Sequence, residues 1–285
     1  MKPDPKDEMM PYIIRYYRAE ILIIVLFLCS FLPFVLRYAF TVKANEKSSP
    51  KTTATQTVDN STKNNNQTIT SVNIQHSSLS MPILMYHHIK PESTDGLTVS
   101  VDKFREQLDY IKQQGYEAIT FSDLNENKIP SKPIILTFDD GYDNFYGNVF
   151  PLLKERGMTG VSYIITDKIG KSGYMSESQI KEISSAGIEI GSHTTSHPDL
   201  TSLSKSSLGS ELSQSKKALE NLTGKKIVSL CYPAGRYNDT VETVVKDSGY
   251  SYGIAIHNKE ATFDDNYSLE RYRVTNDSHL SAYLK

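Results

Sequence analysis

From residue 81 to residue 285, short apolar runs alternate with helical patterns in a strict succession. Few architectures tolerate that order. Residues 82–86 (Pro-Ile-Leu-Met-Tyr) read as a strand. Val101, Phe104, Leu108 and Ile111 then mark one helical face, with Ser100 as N-cap and Gly115 as stop. Strands are predicted over 117–120 and 134–138, and a helix through 148–156 stops at Gly157. A strand over 160–165, a helix over 176–186 and a strand over 188–191 follow. Leu208, Leu212, Leu219 and Leu222 mark the longest helix, closed by Gly224. A strand over 227–232, a helix over 239–247 and strands over 252–256 and 271–274 complete the series. This βα order predicts an α/β fold with a parallel sheet, most simply a closed or partly closed barrel. In such barrels the working residues lie at the C-terminal strand ends, just after the apolar runs.

Four polar clusters meet that condition. Asp139-Asp140-Gly141-Tyr142 follows the run at 134–138, and two adjacent carboxylates there are costly without a cation or partner. Gly141 allows a sharp turn that aims both at one pocket. His193 and His197 follow the run at 188–190; four residues apart on a helical turn, two imidazoles can chelate one metal. Cys231-Tyr232-Pro233-Ala234-Gly235-Arg236 follows 227–230, where Pro and Gly fix a loop open to a ligand. His87-His88 follows 83–86, and either could donate a proton near neutral pH. Each cluster alone is also what an ordinary loop contains. Their recurrence at four strand ends of one domain is what carries weight. One Asp and two His supply three ligands and leave a position for water, as in catalytic rather than structural zinc. Imidazole with carboxylate suits zinc or another borderline ion. The spare Asp can act as base on that water.

Upstream, the composition changes twice. Residues 19–36 are apolar apart from Glu20 and Ser30, about the length that crosses a bilayer, with Tyr16, Tyr17, Tyr38 and Phe40 as interface anchors. Residues 1–18 are then a cytoplasmic segment and 19–40 a transmembrane anchor. A cleaved signal peptide, cut near Val42-Lys43-Ala44, is the alternative, with secretion as its consequence. Residues 41–80, rich in Ser, Thr, Asn, Lys and Gln, cannot bury enough surface to offset ordering entropy and read as a disordered linker. Residues 81–285 are the one globular domain. The net charge of −2 argues against a nucleic-acid partner, and a monomer is expected. Cys29 and Cys231, one in the apolar run and one in the domain, are not expected to pair.

Over 81–285 the sequence resembles the polysaccharide deacetylases, carbohydrate esterase family four. Thr137-Phe138-Asp139-Asp140-Gly141-Tyr142 is similar to that family's first motif, and Gly191-Ser192-His193-x3-His197 to its second. The resemblance implies a distorted (β/α)7 barrel, one divalent metal ion (zinc first; cobalt, nickel or manganese otherwise) and an N-acetylated polysaccharide as substrate. It implies Asp139 as general base and Asp140, His193 and His197 as metal ligands. Cys231-Tyr232-Pro233-Ala234-Gly235 is similar to the third motif, which implies an oxyanion contact from the Ala234 amide; Tyr142, Tyr232, Pro233 and Gly235 are candidate substrate contacts. The arginine usual two residues before that proline is absent, because Cys231 stands there. Arg271 is the proposed replacement, with Arg273 second. The Asp-and-Trp fourth motif has no counterpart in a chain without tryptophan. The fifth motif, hydrophobic-x-His, has two candidates. His257 lies at the customary place. His87 fits a permuted subgroup that includes exported deacetylases of biofilm poly-β-1,6-N-acetylglucosamine, and it is the expected general acid.

The substrates expected within this class are poly-β-1,6-N-acetylglucosamine first, peptidoglycan N-acetylglucosamine second and an O-acetyl ester third. From other classes, a catalytically silent glycan-binding surface module would be expected to lose one of the four Asp and His residues. A non-haem iron oxygenase would not place a second Asp beside the ligand.

Overall fold

The computed structural model describes residues 79–93 and 95–285. The anchor expected over 19–40 lies outside them, as does the expected linker up to residue 78. Among the described residues no helix is long and apolar enough to cross a membrane.

The strands in chain order are β1 (Ser80–Met81), β2 (Ile83–Tyr86), β3 (His88–Lys90), β4 (Thr98–Ser100), β5 (Glu117–Ala118), β6 (Pro133–Phe138), β7 (Val161–Ile164), β8 (Glu189–Ser192), β9 (Ser229–Cys231), β10 (Tyr252–Ile254), β11 (Ala261–Thr262) and β12 (Tyr272–Arg273). The α-helices are α1 (Val101–Gln113), α2 (Phe121–Asn125), α3 (Phe150–Arg156), α4 (Glu177–Ser185), α5 (Lys205–Thr223) and α6 (Asp239–Asp247). Their ends follow local chemistry. Ser100 caps α1 by accepting from the Lys103 N–H, and Ser176 with Gln179 forms a capping box on α4. Gly157 and Gly224 close α3 and α5 in the left-handed conformation.

The principal sheet runs β10–β9–β8–β7–β6–β2–β12, with β5 beside β6, and its pairings are parallel. Its two edges meet. Residues 269–274 pair with β10 through Leu269 N–H to Gly253 O (3.0 Å) and Ala255 N–H to Leu269 O (2.7 Å). The same segment pairs with β2 through Tyr272–Leu84 and Arg273–Met85. This fits a distorted barrel of parallel strands.

Side chains alternate across the wall with period two. Ile134, Leu136 and Phe138 of β6 join the larger core beneath the helices, while Ile135 joins a smaller cluster with Ile83, Val161, Tyr163, Ile254 and Leu269. Gly191 makes room for that second cluster, because a Cβ there would lie 2.3 Å from the Tyr163 ring. Burying each such aliphatic side chain contributes roughly 1.5–3 kcal/mol.

The helix expected over 148–156 has a different start. A π turn, Phe145–Val149, precedes α3. Pro151 has no N–H to continue an i to i−4 ladder, so the backbone widens ahead of it. Two short ribbons, antiparallel β1–β11 and parallel β3–β4, were not predicted from the sequence. Nor was α2, which a Thr120–Asp123 capping box defines.

Candidate active site

Asp139 follows the last residue of β6, and its N–H donates to Tyr86 O at 2.9 Å, extending the pairing with β2. Asp140 (φ 76°) and Gly141 (φ 80°) are both left-handed. This turn separates neighbouring carboxylates: Asp139 is buried, while Asp140 faces two histidines. His193 Nε2 lies 3.5 Å and His197 Nε2 3.8 Å from Asp140 Oδ1. Donor atoms around a tetrahedral zinc, each about 2.0–2.2 Å from the ion, are roughly 3.3–3.6 Å apart. The tautomer of His193 agrees. Its Nδ1 is 2.8 Å from Cys231 O, a carbonyl that can only accept, so Nδ1 carries the proton and Nε2 presents a lone pair. Burial pushes the His193 imidazole below its ordinary pKa, against the pull of Asp139 and Asp140. Asp140, His193 and His197 therefore fit a divalent cation.

The expected helical turn between the histidines is not what forms. Thr194 (φ 66°) and His197 (φ 64°) are left-handed, and the segment is a loop after β8. Its N–H groups go to side-chain acceptors rather than to a helical ladder, and the carbonyls of Thr194 and Thr195 accept from the N–H groups of Thr166 (3.2 Å) and Asp167 (3.0 Å).

Arg271 meets Asp139 from the barrel-closing segment. Its Nη1 donates to Oδ1 at 2.7 Å and its Nη2 to Oδ2 at 2.8 Å. The fully buried guanidinium also donates to Thr137 Oγ1 (2.9 Å) and Ala255 O (3.1 Å), and Nη2 is 3.1 Å from Cys231 Sγ. Burial alone would raise the Asp139 pKa, but the adjacent Arg271 charge outweighs it and holds the carboxyl far below the usual range. Cys231 is a free, buried thiol whose pKa burial drives up. Arg273, the second candidate, is exposed on β12.

His87 follows β2, and its Nε2 lies 3.9 Å from Asp139 Oδ2. His257 does not join the cluster: its side chain is half exposed and its Nδ1 pairs with Glu270 at 3.3 Å.

A family model described as polysaccharide deacetylase matches residues 126–253. Over 214 residues the chain is 34% identical to a Bacillus subtilis protein provisionally named polysaccharide deacetylase YxkH, covering 72% of this chain and 76% of that one. The chain belongs to the polysaccharide deacetylase family. Among solved structures, the Streptococcus pyogenes deacetylase PplD in complex with acetate superposes with a TM-score of 0.69 at 29% identity, covering 73% of this chain and 99% of that one. IcaB from Ammonifex degensii superposes with a TM-score of 0.60 at 25% identity, covering 71% and 94%. The poly-β-1,6-N-acetyl-D-glucosamine N-deacetylase of Staphylococcus aureus (strain MRSA252) is 25% identical over 213 residues, covering 68% of this chain and 73% of that one. Deacetylases of this family depend on a metal, and the Asp140–His193–His197 cluster is where this one can hold it.

The remaining predicted residues of the deacetylase divide. Tyr142 is half-buried between the His88 ring (centroids 3.7 Å apart) and the Tyr174 ring (5.1 Å). Its hydroxyl pKa is raised by burial and then by the charge of Asp140. Tyr232 is placed differently from Tyr142. It is fully buried, stacked on Tyr237 at 4.8 Å, and its hydroxyl is spent on Tyr267 O at 2.8 Å. Pro233, next to it, is buried as well. Gly235 (φ 69°) packs where a Cβ would meet Ile256 at 3.0 Å. Ala234 is left-handed (φ 52°). The amides of Gly235 and Arg236 turn back to the carbonyls of Tyr232 and Pro233, and that of Ala234 joins neither turn.

Two residues at the site escaped the sequence reading. Asn144 donates to His88 Nδ1 (3.0 Å) while its own Oδ1 accepts from the Ile89 N–H (2.9 Å). Glu211 reaches the histidine loop from α5. Asn144 stands just two residues past the first motif but outside it, Glu211 is far from any motif, and no periodicity marks either.

Proposed function

We propose that this deacetylase removes N-acetyl groups from extracellular poly-β-1,6-N-acetylglucosamine, held to the outer face of the cell membrane by residues 19–40. The observation that carries the reaction is the joint placement of the Asp140–His193–His197 cluster and of Asp139 gripped by Arg271, with His87 at 3.9 Å from that carboxylate. The substrate reading is supported by the poly-β-1,6-N-acetyl-D-glucosamine N-deacetylase relative, and by a histidine that precedes the acidic motif and lies beside Asp139.

In this reading Asp140, His193 and His197 hold one divalent ion, zinc first. When bound, the ion acidifies water and polarises the acetyl carbonyl. Asp139, kept ionised by Arg271, accepts the proton of the attacking water. The Ala234 amide meets the developing oxyanion. His87 gives a proton to the departing amine, and acetate and a glucosamine unit leave. Stripping buried Asp139 of its counter-charge would favour its protonated form, so Arg271 keeps the base usable rather than merely placing it.

The test is acetate release from β-1,6-linked N-acetylglucosamine oligomers and from peptidoglycan fragments, with Asp139→Asn as control. Faster release from the β-1,6 oligomers, abolished in the control, is expected. Release confined to peptidoglycan fragments overturns the substrate assignment. Binding of oligomers by metal-replete protein without release overturns the reaction itself.

A further inference from the structure

We propose that Glu211 is the positioning residue of the metal site, setting its affinity and geometry through the loop that joins His193 to His197. The inference rests on the reading of these histidines as ligands.

A His-x3-His pair on a helix would be held by the helix's own hydrogen bonds. Here that ladder is missing, and residues 194–197 have four amide N–H groups to satisfy. The Thr194 N–H donates to Ser192 Oγ at 3.2 Å, and the His197 N–H donates to Thr194 Oγ1 at 2.9 Å. The two between them, Thr195 and Ser196, both donate to Glu211 Oε2 at 3.0 Å. Ser196 Oγ donates to the other carboxylate oxygen at 2.8 Å, and Thr195 Oγ1 to the Glu211 carbonyl at 2.9 Å. One residue thus takes four bonds from two consecutive loop residues.

Its position explains why it can act as a template. Glu211 adjoins buried Leu212 on the 19-residue helix α5, which Leu208, Leu212 and Leu219 anchor to the core. One turn further on, Ser215 Oγ is 2.8 Å from Ser192 Oγ, next to the first histidine. The helix therefore grips both ends of the segment. The loop needs that grip. Two non-glycine residues in the left-handed region, one of them the β-branched Thr194, cost backbone energy that the surrounding structure must repay. A carboxylate accepting N–H bonds makes the strong, charge-assisted kind. The ligand most exposed to its loss is His197, whose side chain is 36% accessible and is not held by neighbours as His193 is.

The experiment uses the full-length chain, stripped of metal and titrated with zinc against a chelating indicator, then with cobalt for its visible spectrum. Glu211→Leu is expected to weaken zinc binding about 10–100-fold, the usual cost of losing a partner behind a ligand, and to alter the cobalt bands. KM at saturating metal should stay that of the parent. Glu211→Gln keeps an oxygen for both amides and should restore affinity to within a few-fold. Should Glu211→Leu fail to fold, Glu211→Asp, which withdraws the carboxylate by one methylene, takes the same two readouts. Parental zinc affinity and cobalt spectrum in a folded Glu211→Leu or Glu211→Asp protein overturn the proposal. His193→Ala separates the two levels. If it binds zinc as the parent does, the ligand reading fails. If it loses zinc while Glu211→Leu does not, only the role of Glu211 fails.

Discussion

Arg271 grips Asp139 with both arms of its guanidinium, at 2.7 and 2.8 Å, across 132 residues of sequence. Both partners are buried, and breaking such a pair by deleting one of them typically costs about 3–5 kcal/mol. Arg271→Ala is therefore expected to lower the melting temperature sharply and to lower kcat. Arg271→Lys keeps the charge but loses the fork, so it should recover stability only in part. Unchanged turnover in folded Arg271→Ala protein, measured by acetate release, would remove Arg271 from the mechanism.

His87 and His257 make opposite predictions. His87 lies beside Asp139, whereas His257 is half exposed and paired with Glu270. His87→Ala should lower kcat by about 10²–10⁴-fold, the usual contribution of a positioned proton donor. His257→Ala should leave kcat near that of the parent. The reverse pattern in steady-state kinetics would reassign the acid.

Chelation should abolish acetate release, and zinc or cobalt should restore it. Asp140→Ala or His193→Ala should leave protein that folds but neither binds nor responds to added metal, because each removes one of the three residues proposed to hold the ion. Metal content by elemental analysis, read beside activity, checks both statements.

At the start of β8, Glu189 gives a pH-dependent prediction away from the site. Its carboxylate accepts from the Ser122 N–H at 2.7 Å and from Ser229 Oγ at 3.3 Å, and burial raises its pKa in spite of these donors. With the folded pKa above the unfolded one, the unfolded chain ionises first. Stability from this group is thus present below the ordinary glutamate value and falls as pH rises through the folded one. Glu189→Gln removes that loss. Its melting temperature relative to the parent should be higher at about pH 7 than at about pH 4. An equal offset at both values would refute it.

The strand ends were legible because parallel strands and their chemistry share a direction. Asp139, His193 and His87 each follow an apolar run, and each stands at the C-terminal end of a barrel strand. Helix limits were legible where capping chemistry is local, as at Ser100, Ser176 and Gly224. The histidine loop was not, because Thr194 and His197 adopt a conformation that their residue types disfavour and tertiary bonds impose. The burial of Tyr232 was not legible either, because position in a motif says nothing about which way a ring faces. Glu211 is one carboxylate among several on a helix whose polar face is ordinary, so nothing in its neighbourhood distinguished it.

Closure of the barrel by residues 269–274 has a temporal side. During synthesis Asp140, His193 and His197 leave the ribosome well before Arg271 does. Until residues 269–274 pair with β2 and β10, Asp139 lacks the counter-charge that Arg271 brings to it. A chain cut short before that segment is expected to keep Asp140, His193 and His197 and to lose the ion pair that holds Asp139 ionised, so the last strand carries a charge to the site as well as an edge to the sheet.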